Sequence, residues 1–120
     1  MATYAPPGWP TLAPRIFVED PAGLITFMQD VFEAEGDLPQ FGPAEMRIGE
    51  SIVMVSGTEA RGKVAGFLYV YVPDADAAYA RAVEAGAETI EDPRDVPYGD
   101  RRATVSDAWG NIWQIATRKG

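Results

Sequence analysis

Apolar positions along this chain follow two rhythms, an every-second-residue pattern and a longer helical one, and the pair of rhythms occurs twice. Residues 15–18 read as a short strand. Asp20 followed by Pro21 is a strong helix start, because an Asp side chain caps free amides and proline suits the first helical position. Leu24, Phe27, Met28, Val31 and Phe32 then fall at i, i+3, i+4, i+7 and i+8, one face of a helix that Gly36 is placed to terminate. Residues 40–44 read as a turn or edge strand, and residues 45–48 and 51–55 as a hairpin turning at Gly49-Glu50. A polar, glycine-containing linker over 56–66 ends the first series.

The order then restarts. Residues 67–72 alternate as a strand, and Asp74 caps a second helix with Ala75, Ala78, Tyr79, Ala82 and Val83 on its buried face and Gly86 at its close. Strands are expected over 89–91, 102–105 and 112–116. Val18-Glu19-Asp20 matches Val72-Pro73-Asp74 at an offset of 54 residues, which points to duplication of one supersecondary unit. The reading is α+β: one domain over 1–120, built of modules at about 12–57 and 66–117. Ahead of them, residues 1–14 carry Pro6, Pro7, Pro10 and Pro14, and form an extended segment that Trp9 pins to the body or to a partner.

Charge and composition narrow the function classes. A net charge of -8 disfavours nucleic acid and anionic membrane surfaces, both of which select Lys and Arg. No apolar run nears the ~20 residues that span a bilayer, and no basic-then-apolar leader opens the chain. With no cysteine there is no disulfide scaffold, and a reducing, cytoplasmic location is expected. The chain also has no histidine, so thiolate zinc sites and His-based proton transfer are excluded. Carboxylate, amide, phenol and guanidinium chemistry remain.

Three stretches carry a resemblance. Residues 67–87 (FLYVYVPDADAAYARAVEAGA), residues 97–117 (PYGDRRATVSDAWGNIWQIAT) and residues 44–54 (AEMRIGESIVM) resemble, in order, the vicinal oxygen chelate superfamily of glyoxalases, bleomycin-resistance proteins and extradiol dioxygenases. Ala108 stands where that family's ending usually has proline. The resemblance implies two βαβββ modules with curved mixed sheets, helices on the convex side, and a homodimer enclosing cavities. It also implies up to four metal-ligand positions, which align with Arg15, Met54, Tyr69 and Gln114. None suits a hard divalent ion: Arg15 is a permanent cation, Met54 is soft, Tyr69 is protonated near neutrality and Gln114 is neutral. No metal and no cofactor is carried over.

Strand alternation places Phe67, Tyr69 and Tyr71 on the face away from the second helix, with Leu68, Val70 and Val72 beneath that helix. Ile112, Gln114 and Ala116 share the first face, and Arg15, Phe17 and Met54 line the other module's counterpart. Tyr98 and Arg101 are expected to join from the neighbouring loop, where Asp100 pairs locally with either arginine. Such a wall suits a flat aromatic or conjugated organic molecule, with Arg15 engaging an anionic or carbonyl oxygen. Alternatively, the same aromatics fill a core. Residues 107–111 read as a structural turn, and Glu91-Asp92 as solvated acids. The favoured function is metal-independent binding or sequestration of an antibiotic or metabolite. The alternative is an enzyme of lyase, isomerase or dioxygenase type with a non-standard metal site, for example through Glu19 or Glu45, or acting metal-free through Tyr69, Tyr98 or Arg15. A third reading is an interaction module whose proline-rich segment meets a partner.

Overall fold

The same capping device opens both helices. In the computed structural model, which describes residues 4–119, the Asp20 side chain accepts from the Gly23 amide at 3.0 Å and that of Asp74 accepts from the Ala77 amide at 3.1 Å. Element order is β1 (Arg15–Phe17), α1 (Pro21–Phe32), β2 (Ala44–Ile48), β3 (Ser51–Ser56), β4 (Phe67–Tyr71), α2 (Ala75–Glu84), β5 (Glu88–Asp95), β6 (Asp100–Ser106) and β7 (Ile112–Arg118). This is the mixed α+β order of strand, helix and further strands, run twice. The described residues fall into two compact units: the chain to Gln29 with Glu33–Val64, and Asp30–Phe32 with the chain from Ala65 onward. Among the described residues, no helix is long and apolar enough to cross a membrane.

The first unit holds a sheet in the order β1-β3-β2, with β1 parallel and β2 antiparallel to β3. Alternation buries Ile16, Val53, Val55, Ala44 and Met46, as well as Leu24, Phe27 and Met28 of α1. Residues 40–42 bend as the turn that the sequence offered beside an edge strand, and the third strand that the βαβββ order implies after α1 is reduced to a single antiparallel bridge between Glu35 and Arg47. Gly36 does not terminate α1 as expected. The helix ends at Phe32, and Glu33 takes the left-handed cap conformation with φ 57°. Gly36 serves instead as a crossing point: its φ is 141°, and a Cβ there would lie 2.4 Å from the Glu45 carbonyl oxygen. Of the proline-rich segment, residues 1–3 lie outside the described residues. Arg47 anchors the rest by donating to the Gly8 carbonyl at 3.2 Å.

The second unit is a four-stranded sheet in the order β4-β7-β6-β5, with β4 parallel to β7 and the rest antiparallel. Helix α2 lies across β6, with β5 and β7 to either side, and buries Ala75, Ala78 and Ala82. These small residues let it approach closely, so its buried stripe is narrower than expected: Tyr79 is half-buried and Val83 exposed. Leu68 and Val70, expected beneath the helix, are only half-buried, because α2 lies across β6 and β4 is the edge strand beyond β7. Trp113 and Ile115 are fully buried, with the Phe32 ring 4.9 Å from that of Trp113. Strand β5 is longer than the expected 89–91. It runs through Pro93 by shifting register between Glu91 and Arg94, which an edge strand tolerates because proline has no amide to donate.

The 107–111 turn is a buried knot. Asp107 Oδ1 accepts from the Trp109 and Asn111 amides, both at 2.9 Å. Its Oδ2 accepts from Asn111 Nδ2 and Trp113 Nε1, also at 2.9 Å. Asn111 Oδ1 in turn accepts from the Gly66 amide at 2.8 Å, so one turn fixes the starts of β7 and β4 together. Asp107→Ala strands buried donors and is expected to cost about 2–4 kcal/mol, the sum of roughly two orphaned partners. Urea denaturation followed by circular dichroism checks this, and a loss under about 0.5 kcal/mol would contradict it.

Candidate functional site

Register across the second sheet assembles one polar and aromatic face. Tyr69, Gln114, Thr104 and Glu91 stand in one row across β4, β7, β6 and β5, and Tyr71, Ala116, Arg102 and Arg94 in the next. Phe67, Ile112, Ser106 and Glu88 form a third row, and Arg118 pairs with Asp100 beyond them. The opposite face holds Trp113, Ile115, Ala103 and Val105, which α2 covers. On the open face Phe67 is 69 %, Tyr71 59 % and Tyr69 37 % exposed, so these rings do not fill a core.

The centre of this face is Asp100, whose side chain is fully buried. Its Oδ2 accepts from the Tyr69 hydroxyl at 2.6 Å and the Tyr71 hydroxyl at 2.9 Å, and its Oδ1 accepts from Arg118 Nη1 at 3.2 Å. A buried carboxylate needs such donors to remain charged. The network continues outward. The Tyr69 and Tyr98 hydroxyls lie 3.2 Å apart, and Arg102 Nη1 donates to the Tyr98 oxygen at 2.6 Å. Glu91 Oε1 accepts from Arg102 Nη2 at 3.3 Å and from the Thr104 hydroxyl at 2.6 Å. Among the described residues, Arg102 Nε is the buried side-chain polar atom left without a partner.

These contacts set the proton affinities. Tyr69 is pushed well above the ordinary 10.0, first by burial and then by its bonds to Asp100 and Tyr98. Tyr71 is raised chiefly by its bond to Asp100. Asp100 is held below the ordinary 3.8, mainly by the Tyr69 hydroxyl, with Tyr71 and Arg118 adding to it against the cost of burial. Glu91 is lowered from 4.5 mainly by the Thr104 hydroxyl. At neutral pH the tyrosines are thus neutral donors to a charged acceptor.

In the first unit, Arg15 stands opposite Met54 across the parallel β1–β3 pair, as Tyr69 stands opposite Gln114 across β4–β7. Glu45 faces Met54 from the other side. Arg15 donates Nε to Ser56 Oγ at 3.0 Å, and its guanidinium lies 5.0 Å from the centre of the Phe17 ring.

Three expectations need correction. Arg101 does not join Tyr69: it sits on the helix side, where its Nε donates to Asp76 at 3.2 Å and its Nη1 to Asp95 at 3.4 Å. The reason is that β6 begins at Asp100, so alternation sends Arg101 one way and Asp100 and Arg102 the other. Asp100 pairs with Arg118 and two tyrosines, not with either neighbouring arginine. Glu91 is a network member, not a solvated acid. Asp100, Arg102, Glu91, Thr104 and Arg118 were therefore not singled out by the sequence, and the paired-strand register is the signal that finds them.

A model of the Glyoxalase/Bleomycin resistance protein/Dioxygenase superfamily matches residues 11–115. The chain belongs to this superfamily. An uncharacterized protein of Mycobacterium bovis is 29 % identical over 126 residues, covering 88 % of this chain and 82 % of its own length. Among solved structures, TioX from Micromonospora sp. ML1 is 27 % identical with a TM-score of 0.75, over 89 % of this chain and 97 % of its own. A glyoxalase/bleomycin resistance protein/dioxygenase family enzyme from Burkholderia phytofirmans PsJN shares the fold at 21 % identity and a TM-score of 0.76, over 88 % and 96 %.

The superfamily resemblance implied a metal at Arg15, Met54, Tyr69 and Gln114, and the residues present do not fit one. The Tyr69 hydroxyl is committed as a donor to Asp100, Arg15 brings a fixed positive charge, and the Gln114 amide nitrogen turns toward Thr104 Oγ1 at 3.5 Å. Among the described residues, no three His, Cys, Asp or Glu side chains gather to hold an ion.

The titration signs give a testable profile. Asp100, with its lowered folded value, stabilises the protein above about pH 3.8 and loses that contribution as pH falls through the folded value. Tyr71 and Tyr69, with raised folded values, contribute below pH 10.0, and that contribution is lost as pH rises above it. In Asp100→Asn both limbs flatten. Tyrosinate absorbance should show Tyr71 returning further toward 10.0 than Tyr69, whose shift arises first from burial. An unchanged tyrosinate titration would contradict this account.

Proposed function

We propose that this superfamily member binds a small aromatic or conjugated organic molecule without a metal, on the open face of the β4–β7–β6–β5 sheet. The observation that carries the reading is the set of Phe67, Tyr69 and Tyr71, exposed on one strand face while a buried carboxylate holds the two tyrosine hydroxyls. An exposed ring row with fixed orientation loses little entropy on stacking a flat ligand, so part of the ordering cost of binding is met before the ligand arrives. Sequestration of an antibiotic or metabolite is the role this suits. Residues Arg15, Phe17 and Met54 line the corresponding face of the first unit, and Tyr98 and Gln114 complete the polar part of the second. Homodimer formation and a cytoplasmic location belong to the same proposal, on the family resemblance and on the absence of cysteine.

The enzyme alternative draws on one feature, a Tyr69 phenol fixed between Asp100 and Tyr98. Its raised proton affinity counts against a base, and its one proton is given to Asp100, so this reading requires that bond to be exchanged for one to developing negative charge.

A panel of planar aromatic compounds, screened by ligand-observed nuclear magnetic resonance, should contain at least one saturable binder whose affinity is unchanged by a metal chelator. Phe67→Ala should weaken that binder by about tenfold through lost stacking and contact area. Because Phe67 is exposed and outside the polar network, folding stability should stay within about 0.5 kcal/mol of the parent. A panel without any binder, or loss of binding on chelation, would overturn the proposal.

A further inference from the structure

The most informative defect on the open face is at Arg102. Several groups around it have named partners: Tyr69 and Tyr71 donate to Asp100, Thr104 donates to Glu91, and Arg102 uses Nη1 on Tyr98 and Nη2 on Glu91. Its Nε is buried and unpaired. An unmet buried donor on a charged group is costly, and it marks a place where an acceptor belongs.

Charge points the same way. Arg94 and Arg102 are direct cross-strand partners, and like charges so placed destabilise an antiparallel pair. Among the described residues Glu91 is the carboxylate bonded to Arg102, at 3.3 Å. A second negative group would balance the pair.

The atom that now fills part of this role is the Tyr98 phenol oxygen, 2.6 Å from Arg102 Nη1. Tyr98 is 53 % exposed and sits in the tight turn between β5 and β6, where the Gly99 amide donates to Val96 and Gly99 takes φ 98°. Its side chain can swing outward without disturbing the sheet, because Asp100, not Tyr98, anchors Tyr69 and Tyr71.

We infer that Arg102 is the specificity-determining residue of this face: it selects aromatic ligands that carry an oxyanion, carboxylate or phenolate, and the Tyr98 phenol is a built-in place-holder that such a ligand displaces. This rests on the binding face proposed above. It moves the anion-recognising role from Arg15, which is occupied with Ser56 and Phe17, to Arg102. Once the phenol leaves, Nη1 is free to donate to a ligand oxyanion, and such a charge-assisted bond is stronger than one to a neutral hydroxyl, while an alkyl group offers none.

The test is equilibrium dialysis of the full chain with naphthoate and its uncharged analogue naphthylmethanol. The parent protein should hold naphthoate about tenfold more tightly or better. In Arg102→Met that preference should vanish while naphthylmethanol binds as before, which also reports that the face has stayed folded. Tyr98→Ala should bind naphthoate several-fold more tightly, because the competing phenol is gone. Equal binding of the two compounds by the parent, a preference that survives Arg102→Met, or weaker binding of both by Tyr98→Ala would each overturn the assignment while leaving a ring-binding face intact. Binding of neither compound would overturn the assignment, and the proposed function would fall with it if a wider aromatic panel also failed.

Discussion

A fully buried carboxylate with three donors is the point around which the second sheet's open face is organised. Asp100 cannot stay charged in that position without the Tyr69 and Tyr71 hydroxyls and Arg118. The tyrosines, in turn, could not hold one orientation on an exposed face without a fixed acceptor below them. Each side therefore requires the other. The result is a row of rings that is exposed yet ordered, an arrangement a surface of unbonded aromatics would not keep. Through Tyr69 and Tyr98 the same constraint reaches Arg102, so acidic, phenolic and guanidinium groups form one connected system.

The duplicated plan explains where this system lies. Both units open with a short strand, an aspartate-capped helix and a parallel first-to-last strand pair. At equivalent rows the first unit sets Arg15 opposite Met54 and the second sets Tyr69 opposite Gln114. The side chains at those places are hydrogen-bond donors, a thioether and a cation, a set that does not suit an ion. The first unit sets the Arg15 guanidinium over the Phe17 ring, and the second builds a network.

Much of this frame was legible in the sequence, because its signals are local. Asp20-Pro21 and Asp74 announce helix starts whatever surrounds them, and the alternation from Phe67 to Tyr71 assigns faces without knowledge of neighbours. Parity across a loop is different. The Tyr98-Gly99-Asp100 stretch reads as a turn, and whether Arg101 belongs to that loop or to the strand decides whether it can join the tyrosines or is sent to the helix side by alternation. Nothing local fixes that choice; the pairing of Asp100 with Arg118 does. Glu91 was hidden in the same way, since Pro93 and its acidic neighbours imitate a loop, while the bulged edge strand carries them in register.

Strand β7 divides its work cleanly between its two sides. Trp113 and Ile115 are anchored in the interior, with Trp113 tied into the Asp107 knot, whereas Gln114 looks the other way, half-buried in the row it shares with Tyr69 and Thr104. Inheritance can therefore exchange Gln114 for another recognition chemistry at little cost to the buried side of the same strand. A lineage built on such a strand would diversify in what it grips long before it diverged in shape.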